Sequence, residues 1–335
     1  MEFERGVMKF VGIGIWFFLI SKTGIGLNGQ LVDLAPGYLS PVVMAATGAF
    51  VKETELLDGD GLKKVSTVLA NAVYFGEGKR GSLLLTSEAP FVDAMGEIKP
   101  NQVSELSLRF GATITSFRKG VGSPRKSYSV AGARLHTSQP LTNGKRLVVV
   151  ELPYSWAEGA VPTDRKMVAP IPKNQPIPSK ANLISFGYGH HYEEPSDGKA
   201  QWSEFQRALT SGFLTFAILT LDRMPSSQDT ISLVPGAKEA WDAFQVESPL
   251  ENGFFQGPCS NDEGAPLFLS EDKVLPPVDN DSMTPWKPVT VATLIGIHIK
   301  SDGTCRRKNS TKEAFAHYVD LRSSNVRQWL DSLTQ

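Results

Sequence analysis

Three groupings of polar side chains are close enough in the 335-residue chain to do chemistry together. Asp262-Glu263 places two carboxylates side by side, enough to attract a cation but too few to hold one. His190-His191 with Glu193 and Glu194 offers metal-ligand types. Adjacent histidines on an extended strand point to opposite faces, however, so the spacing reads as a surface loop. Asp58-Gly59-Asp60-Gly61 opens like a calcium loop but lacks the later ligands and the bidentate Glu, and reads as a hairpin turn. The only histidines are His136, His190, His191, His298 and His317. Gly12-x-Gly14 lies inside an apolar run and is no nucleotide loop. The expectation is a protein with no metal and no cofactor.

Those residues need a scaffold, and composition bounds it. Apolar residues make up 41% and charged residues 21%, which fits a globular chain with a buried core. The net charge is -1 and the pI is near 6.5, which excludes the basic footprint of a nucleic-acid binder. Thirty Gly and 22 Pro favour many short strands and turns over long helices.

At the N-terminus, Phe10 to Ile20 is an uncharged apolar run after Arg5 and Lys9, followed by small and polar residues. A membrane-spanning helix needs ~20 apolar residues, so residues 1–29 read as a signal peptide. Translation starts at Met1 or Met8. No later segment is apolar and long enough to span a membrane. The sequons at Asn280 and Asn309 fit an exported, extracellular glycoprotein.

The elements follow from apolar runs. Ser66 to Tyr74, Ser82 to Leu85, Leu147 to Leu152, Asn182 to Phe186, Phe213 to Leu221, Pro266 to Leu269 and Val289 to Lys300 read as strands. Residues 161–180 carry too many prolines for a central strand or helix and read as a crossover linker. Val326, Trp329, Leu330 and Leu333 recur at helical spacing after Ser323, so 323–333 reads as a terminal helix. The plan is all-β: a first half over 30–160, the linker, and a second half over 181–335. Twin closed barrels satisfy it by removing sheet edges, and a pair of β-sandwiches satisfies it too.

The segment Cys259-Ser260-Asn261-Asp262-Glu263-Gly264-Ala265-Pro266-Leu267 resembles the nucleophile loop of trypsin-like serine proteases, Cys-x-Gly-Asp-Ser-Gly-Gly-Pro-Leu. Other segments fall in the same order. Gly81 to Pro90 resembles the strand leading to the base histidine. Arg146 to Leu152 resembles the strand after the orienting aspartate. Ile184-Ser185-Phe186-Gly187-Tyr188-Gly189 resembles the strand opening the second barrel, and Leu294-Ile295-Gly296-Ile297 the strand beside the specificity pocket. The resemblance implies two six-stranded Greek-key barrels with a C-terminal helix. It also implies a disulfide between Cys259 and Cys305, closing a loop of nearly 50 residues, worth ~4 kcal/mol in the chain-entropy model.

The resemblance further implies that the chemistry is gone. Acyl transfer needs a nucleophile, a base and a group to orient the base. Those positions read Glu263, Ala89 and Arg146. The oxyanion-hole glycine is Asn261, and the base of the specificity pocket is Gly257, with no acid to select Lys or Arg. No activating Ile/Val-Val-Gly-Gly segment exists, so Asp262 is left to pair with another cation or to cap a turn. Ser270 to Pro288 is longer than its family counterpart and reads as an insertion on the rim of the former site.

The expected function is a secreted pseudoprotease, not an enzyme, that binds a protein partner as decoy, inhibitor or regulatory cofactor, the partner being a protease, a hydrolase or its substrate. The alternatives are a hydrolase using Glu263 with a histidine such as His298, and a structural secreted glycoprotein.

Overall fold

Apolar and β-branched runs bounded by Gly and Pro form strands throughout. The computed structural model describes residues 30–31, 46–58, 61–93, 95–111, 114, 126–140, 145–155, 182–189, 212, 214–223, 243–247, 250–251, 254–255, 257–259, 261–275, 287–302 and 315–334. The expected signal peptide over 1–29, the expected crossover over 161–180, His190, His191, Glu193, Glu194, both sequon asparagines and Cys305 lie outside them.

The first half contributes β2 (Thr47–Asp58), β3 (Gly61–Glu77), β4 (Ser82–Ser87), β5 (Leu106–Phe110), β6 (Lys126–Ser129), β7 (Arg134–Thr137) and β8 (Leu147–Glu151). They form one antiparallel sheet in the order β6-β5-β2-β3-β4-β8-β7. That is seven strands where six were expected, because β6, paired with β5, and β7, paired with β8, are two short strands separated by a turn in which Ala133 N donates to Val130 O. Asp58 pairs with Gly61 across a tight hairpin, as the turn reading of that motif expects. A short 3-10 turn, Ala89–Phe91, follows β4.

The second half contributes β9 (Asn182–Gly187), β10 (Thr215–Arg223), β11 (Ala243–Glu247), β14 (Pro266–Leu275), β15 (Lys287–Asp302) and β16 (Phe315–Asp320). The order β10-β11-β16-β15-β14-β9, with β9 also paired to β10, closes a six-stranded ring. A small hairpin, β12 (Leu250–Glu251) with β13 (Phe254–Phe255), lies between β11 and β14. The first described strand, β1 (Gln30–Leu31), pairs with β10. The chain therefore touches the second sheet before it builds the first, and residues 30–31 do not belong to the first-half sheet as the 30–160 boundary has it. The all-β class, the two antiparallel sheets and the closing helix agree with the sequence expectation.

The 270–288 insertion is a β-ribbon over its described part. β9 covers β14 only over Leu267–Ser270, yet β14 and β15 stay paired out to Leu275 opposite Lys287.

Strand alternation divides the second-half core. Leu183, Ala217, Leu219, Leu267, Leu269 and Ile295 form one buried cluster. Ile184, Phe186, Phe216, Phe268 and Leu294 point the other way and join a cluster with Phe50, Leu84, Phe91 and Val149 of the first half. The helix α1 (Ser324–Leu333) buries Val326 and Leu330 in that shared cluster, with Trp329 and Leu333 packed at its edge. Among the described residues, no helix is long and apolar enough to cross a membrane.

Candidate functional site

The loop carrying Glu263, which the resemblance aligns with a nucleophile, is held by a tight turn. Asp262 N donates to Cys259 O at 3.1 Å, and Ala265 N to Asp262 O at 2.9 Å. Gly264 N donates to His298 O on β15 at 2.9 Å, which ties the loop to its own barrel. Asn261 has φ 66 and Gly264 φ 81, both in the left-handed region. Asn tolerates that region because its short polar side chain bonds locally. Gly264 has no substitute: a Cβ there would lie 2.3 Å from Asn71 O and 2.7 Å from Thr86 Oγ1.

Asp262 is fully buried. Its carboxylate accepts from Gly189 N at 2.7 Å, Cys259 N at 2.9 Å and Asn71 Nδ2 at 3.0 Å. Burial pushes its carboxyl up to about 7, and the neighbouring Glu263 charge adds to that. The three N–H donors favour the ionised form and pull the other way. Of the two fates expected for Asp262, the structure shows the turn cap. No cation pairs with it among the described residues.

The three positions expected to hold a catalytic triad lie close together. Glu88 N donates to Arg146 O at 3.1 Å, and Arg146 Nη1 stands 3.7 Å from Glu88 Oε2, so Arg146 lies beside Glu88 and exposed Ala89. Lys145 Nζ stands 3.9 Å from Glu263 Oε1 and 3.4 Å from Ile299 O. Gly264 packs on Thr86 and Ser87, just before Glu88. Two acids and two bases therefore alternate where the halves meet: Glu88 with Arg146, and Glu263 with Lys145. Burial raises the Glu88 carboxyl above its ordinary range, against the lowering effect of the Arg146 charge.

His298 is spoken for elsewhere. Its Nδ1 lies 3.0 Å from Asp262 O and its ring meets Tyr318 edge-on at 5.5 Å. Burial holds its pKa down at about 3, so the ring is neutral. Tyr318 in turn donates to Ser185 Oγ at 2.9 Å, and Ser185 to Pro266 O at 3.0 Å. Among the described residues, no histidine hydrogen-bonds the Glu263 carboxylate. Gly257 is buried with φ 133. Cys259 is 3% exposed, and no described cysteine is a free thiol. No group of three or more metal-ligating side chains gathers among the described residues.

Sequence reasoning missed Glu88, Lys145 and Asn71. Asn71 did leave a signal: it is one amide inside an apolar strand run, and a buried amide requires partners. Glu88 and Lys145 had none, since isolated charges beside strands are ordinary surface residues.

No family model matches the chain, and no curated protein matches it. Among solved structures, one described as the atomic resolution structure of HBP superposes with a TM-score of 0.47 at 11% identity, covering 88% of this chain and 94% of that one.

Proposed function

We propose that the chain is an exported, trypsin-like serine protease homologue that has lost catalysis and acts by binding a protein partner. One observation carries the reading. Ala89, Arg146 and Glu263, which the sequence aligns with base, orienter and nucleophile, belong to one neighbourhood between the halves. Ala89 accepts no proton there. Arg146 brings positive charge where an imidazolium would need negative charge, and Glu263 would repel a developing oxyanion. The loop and strands that would present such residues are retained. Retained shape without the chemistry favours recognition over turnover.

The export reading includes a cleaved signal peptide over 1–29, glycans at Asn280 and Asn309, and a Cys259–Cys305 bridge. Burial of Cys259 and the lack of a free described cysteine support the bridge. The alternative hydrolase built on Glu263 and His298 has no hydrogen bond between them to support it.

The test is fluorophosphonate labelling of the purified secreted protein, beside turnover of a peptide library. No labelling and no turnover are expected. Labelling of any serine, with turnover that scales with pure protein and survives Glu263→Ala, would overturn the reading.

A further inference from the structure

Asn71 has no place in the triad comparison, yet it joins the halves through several hydrogen bonds. It sits fully buried in β3, between Ala70 and Ala72. Its N–H donates to Glu263 O at 2.8 Å. Its Oδ1 accepts from Tyr188 N at 2.8 Å. Its Nδ2 donates to Asp262 Oδ1 at 3.0 Å and to Asn261 O at 3.3 Å. Its carbonyl accepts from the Thr86 hydroxyl.

One residue of the first half therefore grips two separate second-half segments, at Tyr188 and over 261–263. Asp262 completes the grip by accepting from Gly189 N and Cys259 N. The fit leaves no slack. A Cβ on Gly189 would stand 2.5–2.7 Å from the Asp262 carboxylate, and one on Gly264 would stand 2.3 Å from Asn71 O.

We propose that Asn71 is a constitutive latch: from the first half it fixes the shape of the 257–264 loop in the uncut chain, with no cationic partner for Asp262. The chemistry supports this in three ways. All three donors to Asp262 are neutral N–H groups, so the grip needs no charged group delivered by cutting the chain. An amide does not titrate, so the donor side is indifferent to pH. The titratable groups facing Asp262 are Glu263, which opposes its charge, buried Tyr318, and His298, which is held neutral. None of them supplies a cation. This inference does not depend on the partner-binding reading.

Hydrogen exchange on the full purified chain tests it. Asn71→Leu keeps the branching and the number of side-chain heavy atoms and removes the side-chain bonds. Exchange should speed up roughly tenfold or more in peptides covering 187–189 and 257–264, while β10 and β16 stay within about twofold. Unchanged protection, or an even loss over both sheets, overturns the latch. If Asn71→Leu fails to fold, Asn71→Asp decides. At mildly acid pH the new carboxyl can donate to Asp262 and the loop stays protected. At mildly alkaline pH two charges face each other and protection falls. Equal protection at both pH values overturns the proposal. A cut engineered between Leu31 and Thr47 should leave 257–264 unchanged, and a change there overturns it as well.

Discussion

Asp262 and Glu263 are consecutive carboxylates with opposite surroundings. Asp262 is fully buried and accepts three N–H donors drawn from both halves. The Glu263 side chain is 26% exposed, and among the described residues the cation that faces it, Lys145, stands 3.9 Å away, beyond hydrogen-bond range. The first holds the loop in shape. The second, which the sequence resemblance aligns with a nucleophile, has a side chain that makes only that long contact among the described residues.

That contrast can be broken from its strong side first. Asp262→Ala strands three buried donors, and chemical denaturation should show a loss of about 3–5 kcal/mol. Gly264→Ala imposes a left-handed residue and a clash with Asn71 O, and should cost about 2–4 kcal/mol by the same measurement.

The pH response sharpens the contrast next. The carboxyl of Asp262 is pushed up to about 7, above its unfolded value of ~3.9, so the folded state holds the extra proton in that window. Its contribution to stability therefore grows as pH falls through about 7. His298 is held down at about 3, below its unfolded value of ~6.5, so its contribution is lost as pH falls through ~6.5. The two oppose each other between ~4 and ~6.5, and the wild-type urea midpoint should vary little there. Asp262→Asn removes one side of the balance, so its midpoint should fall on acidification. A midpoint that stays flat in the variant refutes the opposition.

The weak side gives the smallest effect. Glu263→Ser gives up one long, part-exposed ion pair and should shift stability by no more than ~0.5 kcal/mol. With Ala89 still in place it should gain no fluorophosphonate labelling. A large stability loss would mean that Glu263 supports the loop as Asp262 does.

Much of the fold was legible in the sequence because the barrel strands are fully buried and read as continuous apolar runs. Leu147–Glu151, Asn182–Gly187 and the start of β14 are of this kind. The α1 helix was legible from Val326, Trp329, Leu330 and Leu333 at helical spacing. The neighbourhood of Ala89, Arg146 and Glu263 was reached through ordered resemblance alone, since none of the three has a distinctive local pattern. What stayed hidden depended on long-range pairing. Asn71 meets Asp262 across 191 positions of chain, and no local period encodes that. The two-residue β1 is too short for any periodicity, so its place beside β10 could not be read. The 270–288 ribbon was hidden by its prolines, which suggested a loop although its flanks pair in register.

Each end of the described chain engages the opposite half. Gln30–Leu31 adds to the second sheet before the first is built, while α1 enters the shared core and Thr334 reaches β3 at Gly76. Severing the backbone within the 161–180 crossover would consequently leave two fragments clasped at both ends. The nicked protein should still migrate as one particle and melt in a single transition, with its halves inseparable short of unfolding.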